Sequence, residues 1–275
     1  MEAYWKKLVT MVRYAFRLRI PVYAAHASFF IALAVFPSLV LFVGLLRYTG
    51  VEVEYLTELL HGIIPTALMP QAQKLITGTY NSTTGTVLSA SALTALWSAS
   101  RGIHGLTTGL NSIYNVEENR GYIRTRMISV MYTFAFMLML LMTLVLHVFG
   151  TGLLQWLPLE ESPLLNLLES VVDLRFFLLL FLQTALFSAI YAVLPNKHNK
   201  LSDSFPGAVL ASVSWLVFSE LYSIYVEHFA GLTNVYGSVY AVALSMLWLY
   251  WCISIVFYGG ALNCWLARDR SLNNS

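Results

Sequence analysis

Two charged side chains inside apolar runs demand a chemical explanation before anything else in this sequence. Arg101 and Glu220 each lie about fifteen residues into a long hydrophobic stretch, roughly 22 Å along at 1.5 Å per residue. If those stretches cross a hydrocarbon layer about 30 Å thick, both charges fall within it. An isolated charge there costs about 2.5–3.5 kcal/mol on the insertion scale, so a partner, a hydrated cavity or snorkelling must offset it. With neighbouring spans running in opposite directions, Arg101 lies nearer one face and Glu220 nearer the other. Helical side chains lean toward their own N-termini, which brings both back toward the midplane. The functional expectation is a hydrated interior that a polar headgroup or ion occupies. The plainer one is a brace, with Arg101 on helix-end carbonyls and Glu220 reaching the outer interface. His104 lies one turn beyond Arg101 on the same helix face, placed for a proton relay or for hydrogen-bonded packing.

Enzymatic chemistry is thin. His26, His61, His104, His147, His198 and His228 show no metal-ligand spacing, and no HExxH motif occurs. There is no GxSxG elbow and no glycine loop to cradle phosphate. Glu117 and Glu118, beside arginines, do not make the cluster of carboxylates or histidines that a metal-dependent nuclease needs. The expectation is a protein that is not an enzyme and carries no cofactor or metal. Cys252 and Cys264 are roughly 18 Å apart along one helix, beyond disulfide reach, and read as small buried residues. The net charge of +2, with no basic face outside the connecting segments, gives nucleic acid no surface to bind.

The elements that position these residues follow from composition. Hydrophobic residues make up 58% and charged residues 11%, against about 25% charged in a soluble domain. The expectation is an all-α integral membrane protein, a single membrane domain over residues 1–275 with six spans. They fall at about Val22–Leu46, Thr86–Tyr114, Met127–Phe149, Leu174–Leu194, Phe205–Phe229 and Val239–Ala267. Lys6, Lys7, Arg13, Arg17 and Arg19 precede the first span, and Arg120, Arg124 and Arg126 separate the second from the third. Lys197 and Lys200 separate the fourth from the fifth, and Arg268 and Arg270 follow the sixth. The other side receives only Arg47, Lys74 and Arg175, so both termini are expected in the cytoplasm.

Short interfacial helices complete the pattern. Residues 4–19 alternate Trp5, Leu8, Val12 and Phe16 with Lys6, Arg13 and Arg17 in the manner of a basic amphipathic helix on anionic headgroups. The connection after the first span, with Glu52, Glu54 and Glu58, is long enough to hold one or two more. Ser162-Pro163 opens another. Pro37 removes a hydrogen bond inside the first span and should kink it.

The second span is built differently from the others. Ser89, Ser91, Ser98, Ser100, Gly102, Gly105 and Gly109 line it, and Gly105 with Gly109 forms a GxxxG pair that lets backbones approach closely. Such a helix belongs at a bundle centre or at a homo-oligomer contact. Asn111 and Asn263 either cross-link helices or line a substrate path. Trp248, Tyr250 and Trp251 lie mid-span, away from the interfacial belts, so their polar tips need partners within the protein.

Several of these runs resemble the YihY/BrkB family of bacterial inner-membrane proteins. They are Trp97-Ser-Ala-Ser-Arg101-Gly102, Leu110-Asn111-Ser-Ile-Tyr114-Asn-Val-Glu117-Glu118, Ala24-Ala25-His-Ala27-Ser-Phe29-Phe30 with Phe36-Pro37, Tyr236-Gly237-Ser238, and Leu247-Trp248-Leu249-Tyr250. The resemblance implies six spans with both ends cytoplasmic. It implies little chemistry, since members have carried the label ribonuclease BN while others are linked to serum resistance or envelope lipid export. The family usually shows Gly-Ala-Glu-x-Asn near its end, and here Gly259-Gly260-Ala261-Leu262-Asn263 replaces the glutamate with Ala261. The expected function is translocation of an amphipathic or lipidic substrate, with membrane lipids as partners. The alternative is a non-transporting envelope protein whose small-residue helix is an oligomer or partner contact.

Overall fold

The computed structural model describes residues 10, 14, 18–46, 69–82, 84–121, 123, 127, 131, 175–197, 199–228 and 233–273. Their elements are helices: α1 (Ile20–Leu46), α2 (Met69–Ser82), α3 (Gly85–Tyr114), α4 (Arg175–Val193), α5 (Leu201–His228) and α6 (Thr233–Asn273). Three contain stretches long and apolar enough to cross a membrane, Ile20–Leu45, Leu201–Val226 and Val242–Arg270. α4 offers the shorter apolar run Leu180–Val193. The 30 residues of α3 reach about 45 Å, but serine, threonine and glycine hold its hydropathy down.

The helices occupy the stretches read as spans one, two, four, five and six, and α6 runs further at both ends. α2 falls in the connection after the first span, where the sequence predicts an interfacial helix. The expected helix over residues 4–19, apart from Thr10, Tyr14, Leu18 and Arg19, lies outside the described residues. So do the Glu52–Glu58 stretch, the helix at Ser162-Pro163, and the third span except Met127 and Met131.

Two compact units are present. One comprises Leu33–Ala99 and Leu140–Arg175. Within it Thr84 caps α3, its Oγ1 accepting from the Val87 N–H at 3.4 Å. The Ser89 and Thr94 hydroxyls donate back to the Gly85 and Ala90 carbonyls at 2.9 and 2.8 Å, which satisfies them inside their own helix. Pro37 sits inside α1, which continues past it to Leu46.

The other unit, Met1–Ala32, Ser100–Met139 and Phe176–Ser275, holds the core. α1 contributes Ile20, Ala24 and Ala27, and α3 contributes Ile103, Leu106, Leu110 and Ile113. Phe187, Ile190 and Tyr191 come from α4, Ala208 and Ala211 from α5, and Ile253, Val256, Phe257 and Ala261 from α6. Helices in hydrocarbon gain nothing from hiding apolar surface from one another, so association rests on close packing. Glycine supplies it. A Cβ on Gly102 would lie 2.5 Å from the Ile31 side chain, and one on Gly105 would lie 3.1 Å from the Ala27 Cα. One on Gly109 would strike the Phe257 ring at 2.5 Å and Tyr23 at 2.9 Å. Thus the GxxxG face of α3 is consumed within the chain, against α1 and α6.

α5 and α6 approach even more closely. A Cβ on Gly207 would strike the Gly259 carbonyl, and one on Gly259 would meet the Gly207 carbonyl at 2.6 Å as well as the Tyr191 hydroxyl. That hydroxyl, fully buried on α4, donates to the Val256 carbonyl at 2.6 Å and ties α4 to the same place.

α3 ends in a Schellman motif. Asn115 adopts φ 52°, a conformation that asparagine tolerates better than most side chains. The Val116 N–H reaches the Asn111 carbonyl at 2.9 Å and the Asn115 N–H the Ser112 carbonyl at 3.3 Å.

Gly207→Val should force α5 and α6 apart and cost about 1–3 kcal/mol. It is expected to lower the melting temperature of the detergent-solubilised protein, whereas Gly78→Ala, with nothing within 4 Å of its would-be Cβ, should not. Equal melting temperatures for the two variants would contradict this packing.

Candidate functional site

One face of α3 is taken up by packing; the other carries a polar line. Arg101, His104, Thr108 and Ser112 are all exposed, and their spacing of three and four residues puts them one above another on the helix. Between them Gly102, Ile103, Gly105, Leu106, Thr107 and Gly109 are buried. The Thr108 hydroxyl donates to the His104 carbonyl at 2.9 Å, leaving its oxygen to face outward as an acceptor. Ser98, one turn before Arg101, is fully buried.

Glu220 is exposed on α5 beside Val217, Leu221 and Ile224, which are exposed as well. Among the described residues no salt bridge joins it to Arg101. Trp248 is partly buried. Its indole N–H donates to the Ser219 hydroxyl at 3.3 Å, and its ring stands edge-on to Trp215 at 5.8 Å. It braces α6 against α5, and the exposed aromatic of that turn is Trp251.

Asn111 and Asn263 both act as cross-links. The Asn111 amide donates to Glu118 Oε2 at 2.8 Å, and its Oδ1 accepts from the Asn196 N–H at 2.7 Å. Asn196 in turn donates to the Glu117 carbonyl at 2.7 Å. The Arg120 guanidinium grips Glu118 through Nε and Nη2, each at 2.7 Å. Its Nη2 also donates to the Leu194 carbonyl at 2.8 Å, so a cation stands at the negative end of α4. Asn263 accepts from the Gly207 N–H at 2.7 Å and donates to the Ser204 carbonyl at 2.9 Å. This pins the first turn of α5 to α6.

Hydrogen bonds from Arg120 hold the Glu118 carboxyl below the usual carboxylate range; burial opposes them and the Asn111 amide adds to them. Burial raises the Tyr14 phenol, whose hydroxyl donates to the Ile113 carbonyl at 3.2 Å and lies 3.4 Å from Cys264 Sγ. Cys252 and Cys264 are free thiols.

Next to these cross-links a cavity of about 510 Å³ opens, lined among others by Tyr114, Lys197, Lys200, Ser204, Asn263 and Arg268. The sequence reading used its cations for topology and did not bring them together. Nor did it single out Gly207 or Tyr191, and it named Gly259 only within a family motif. A visible signal was the pair Gly259-Gly260 one turn before Asn263 in an otherwise bulky helix. Among the described residues no group of three or more His, Cys, Asp or Glu side chains could hold a metal.

The family model described as virulence factor BrkB matches residues 12–275. A Bacillus subtilis (strain 168) protein named ribonuclease-like, YfkH, is 31% identical over 250 residues, 90% of each chain. A UPF0761 membrane protein of Histophilus somni (strain 2336) is 30% identical over 95 residues, 34% of this chain and 33% of that protein. One from Klebsiella pneumoniae is 28% identical over 107 residues, 38% of this chain and 37% of that protein. No solved structure matches.

The lowered Glu118 value carries a pH prediction. A carboxyl whose folded pKa is depressed stabilises the protein above its unfolded value of about 4.3, and that contribution is lost as pH falls through the folded value. Glu118→Gln should therefore melt below wild type at pH 7, with the gap closing once the pH drops beneath the usual carboxylate range. A gap that stays constant across thermal melts from pH 7 to pH 3 would refute the assignment.

Proposed function

The chain belongs to the BrkB family of membrane proteins, and on that premise we propose that it moves an amphipathic, lipidic substrate across the bacterial inner membrane. In this reading it crosses the membrane six times with both ends in the cytoplasm, as the placement of its Lys and Arg residues favours. The observation that carries the reading is the outward polar line Arg101, His104, Thr108 and Ser112 on a helix whose opposite face is buried and whose adjoining flank is held by glycine contacts.

Four polar residues in a row against acyl chains are costly, and the guanidinium most of all. A hydrated furrow along that line removes the cost. It also suits a lipid: the polar head travels along the hydroxyls and the imidazole while the tails stay in hydrocarbon. Arg101 sets a positive charge on that track, which suits an anionic head. His104 and Thr108 continue the polar track one and two turns further.

The alternative of a non-transporting scaffold uses the small-residue face of α3 as a contact with another copy or a partner. That face is already filled by Ala27, Ile31, Tyr23 and Phe257, which supports the translocation reading over it. Neither reading includes an enzymatic step, and the ribonuclease-like name of the Bacillus subtilis relative is not carried to this chain.

Wild-type protein in proteoliposomes should move a fluorescent phospholipid between leaflets faster than protein-free vesicles do. Arg101→Gln should slow that exchange about tenfold or more, the worth of one charge-assisted contact. Exchange that is no faster than in protein-free vesicles, or is indifferent to Arg101→Gln, would remove translocation along this line.

A further inference from the structure

Ahead of α1 one side chain reaches back across the bundle. Tyr14 is helical and partly buried, and its hydroxyl donates to the Ile113 carbonyl at 3.2 Å. The same oxygen lies 3.4 Å from Cys264 Sγ. One phenol thus touches the last turn of α3 and the later part of α6, 99 and 250 positions away in sequence.

Both contacts fall where the helices leave something unused. The last four carbonyls of a helix have no partner within it. At the end of α3 the Asn111 and Ser112 carbonyls are taken by the Schellman bonds, and Tyr14 takes the next one, at Ile113. Cys264 packs against the core and also lines the cavity beside Asn263. Tyr14 is outside that lining, so it covers the sulfur from another side.

Between Tyr14 and α1 the chain bends at Leu18. Leu18 packs against the core. The Arg19 carbonyl accepts from the Val22 and Tyr23 N–H groups at 3.1 and 3.4 Å, which fixes the start of α1. The bend is therefore anchored on its α1 side, while Tyr14 fastens the other side through a single hydroxyl. A neutral hydrogen bond competes with water and nets little, and a thiol is a weak partner for a hydroxyl. A segment fastened so lightly opens locally while the rest of the molecule stays folded.

We propose that the chain ahead of α1 is a strap, hinged at Leu18 and latched by the Tyr14 hydroxyl across the ends of α3 and α6. Closed, it caps the Ile113 carbonyl and shields the Cys264 thiol. Open, it frees both and uncovers Cys264 on the side that Tyr14 occupied. The strap belongs to the core-bearing unit alone, and its opening does not depend on translocation.

Thiol labelling of the full-length protein in nanodiscs tests the latch. With Cys252→Ala, Cys264 is the one thiol left, and its rate of reaction with N-ethylmaleimide is followed by intact-protein mass spectrometry. Tyr14→Phe keeps the ring and removes the hydroxyl, and should speed labelling about threefold to tenfold. Tyr14→Ala, which removes the ring as well, should speed it at least as much. With Cys264→Ala instead, the buried Cys252 reports on loosening of the bundle as a whole, and Tyr14→Phe should leave its rate at the wild-type value. Faster labelling at Cys264 alone supports the strap. The proposal is overturned if Cys264 reacts at the same rate with and without the Tyr14 hydroxyl, or if Cys252 is accelerated as much as Cys264.

Discussion

How near α3 comes to α1 and α6 decides everything else about this bundle. At Gly102, Gly105 and Gly109 the helix surface has no side chain, and Ile31, Ala27, Tyr23 and Phe257 occupy the space that one would take. Contacts of that kind are dispersion-driven and lose about a quarter to a half of their strength over a gap of about 0.5–1 Å, so rotation of the face that makes them is opposed. Rotation fixed on one side fixes the other. Arg101, His104, Thr108 and Ser112 are turned outward because the glycines are turned inward. A polar line that a helix would ordinarily bury is thus held at the surface of its unit by packing on the far side.

A second constraint acts where the helices of the core-bearing unit end. Hydrocarbon offers no partner to a stray amide or carboxylate, so amides and carboxylates near the spans gain from partners inside the protein. Asn111, Glu118 and Arg120 answer one another and the end of α4. Asn263 answers the start of α5, and Tyr191 answers the Val256 carbonyl deep in α6. The bonds from Arg120 to Leu194, from Asn263 to Gly207 and Ser204, and from Tyr191 to Val256 join segments far apart in sequence, so the helices of this unit are registered against one another. The basic cavity lies in that registered region, and its Ser204 and Asn263 lining is made of the same cross-links.

Much of the framework was readable from the sequence, and for physical reasons. Long apolar runs become helices because nothing else satisfies the backbone in lipid, and a helix rich in glycine and serine is poor lipid-facing material, which places part of it inside. Partner identity was the unreadable part. Asn111 and Asn263 invite either a cross-link or a lining role, and only the coordinates show that Asn196, Glu118, Gly207 and Ser204 meet them. Nothing in the sequence marks Gly207, because its contact with Gly259 depends on the register of two helices. Lys197, Lys200 and Arg268 were legible as topology signals, while their shared cavity required three segments to converge. Ala261, which stands where the resemblance implies a glutamate, is buried in the core.

The central claim is that the outward line on α3 faces water rather than acyl chains. In a variant with Cys252 and Cys264 replaced by alanine, single cysteines at His104, Thr108 and Ser112 are exposed in intact membranes to a membrane-impermeant maleimide. The account predicts labelling at all three, since thiolate formation needs water, with none at Ile103 or Leu106 on the packed side. Unlabelled positions along the whole line, in protein that still folds, would contradict it.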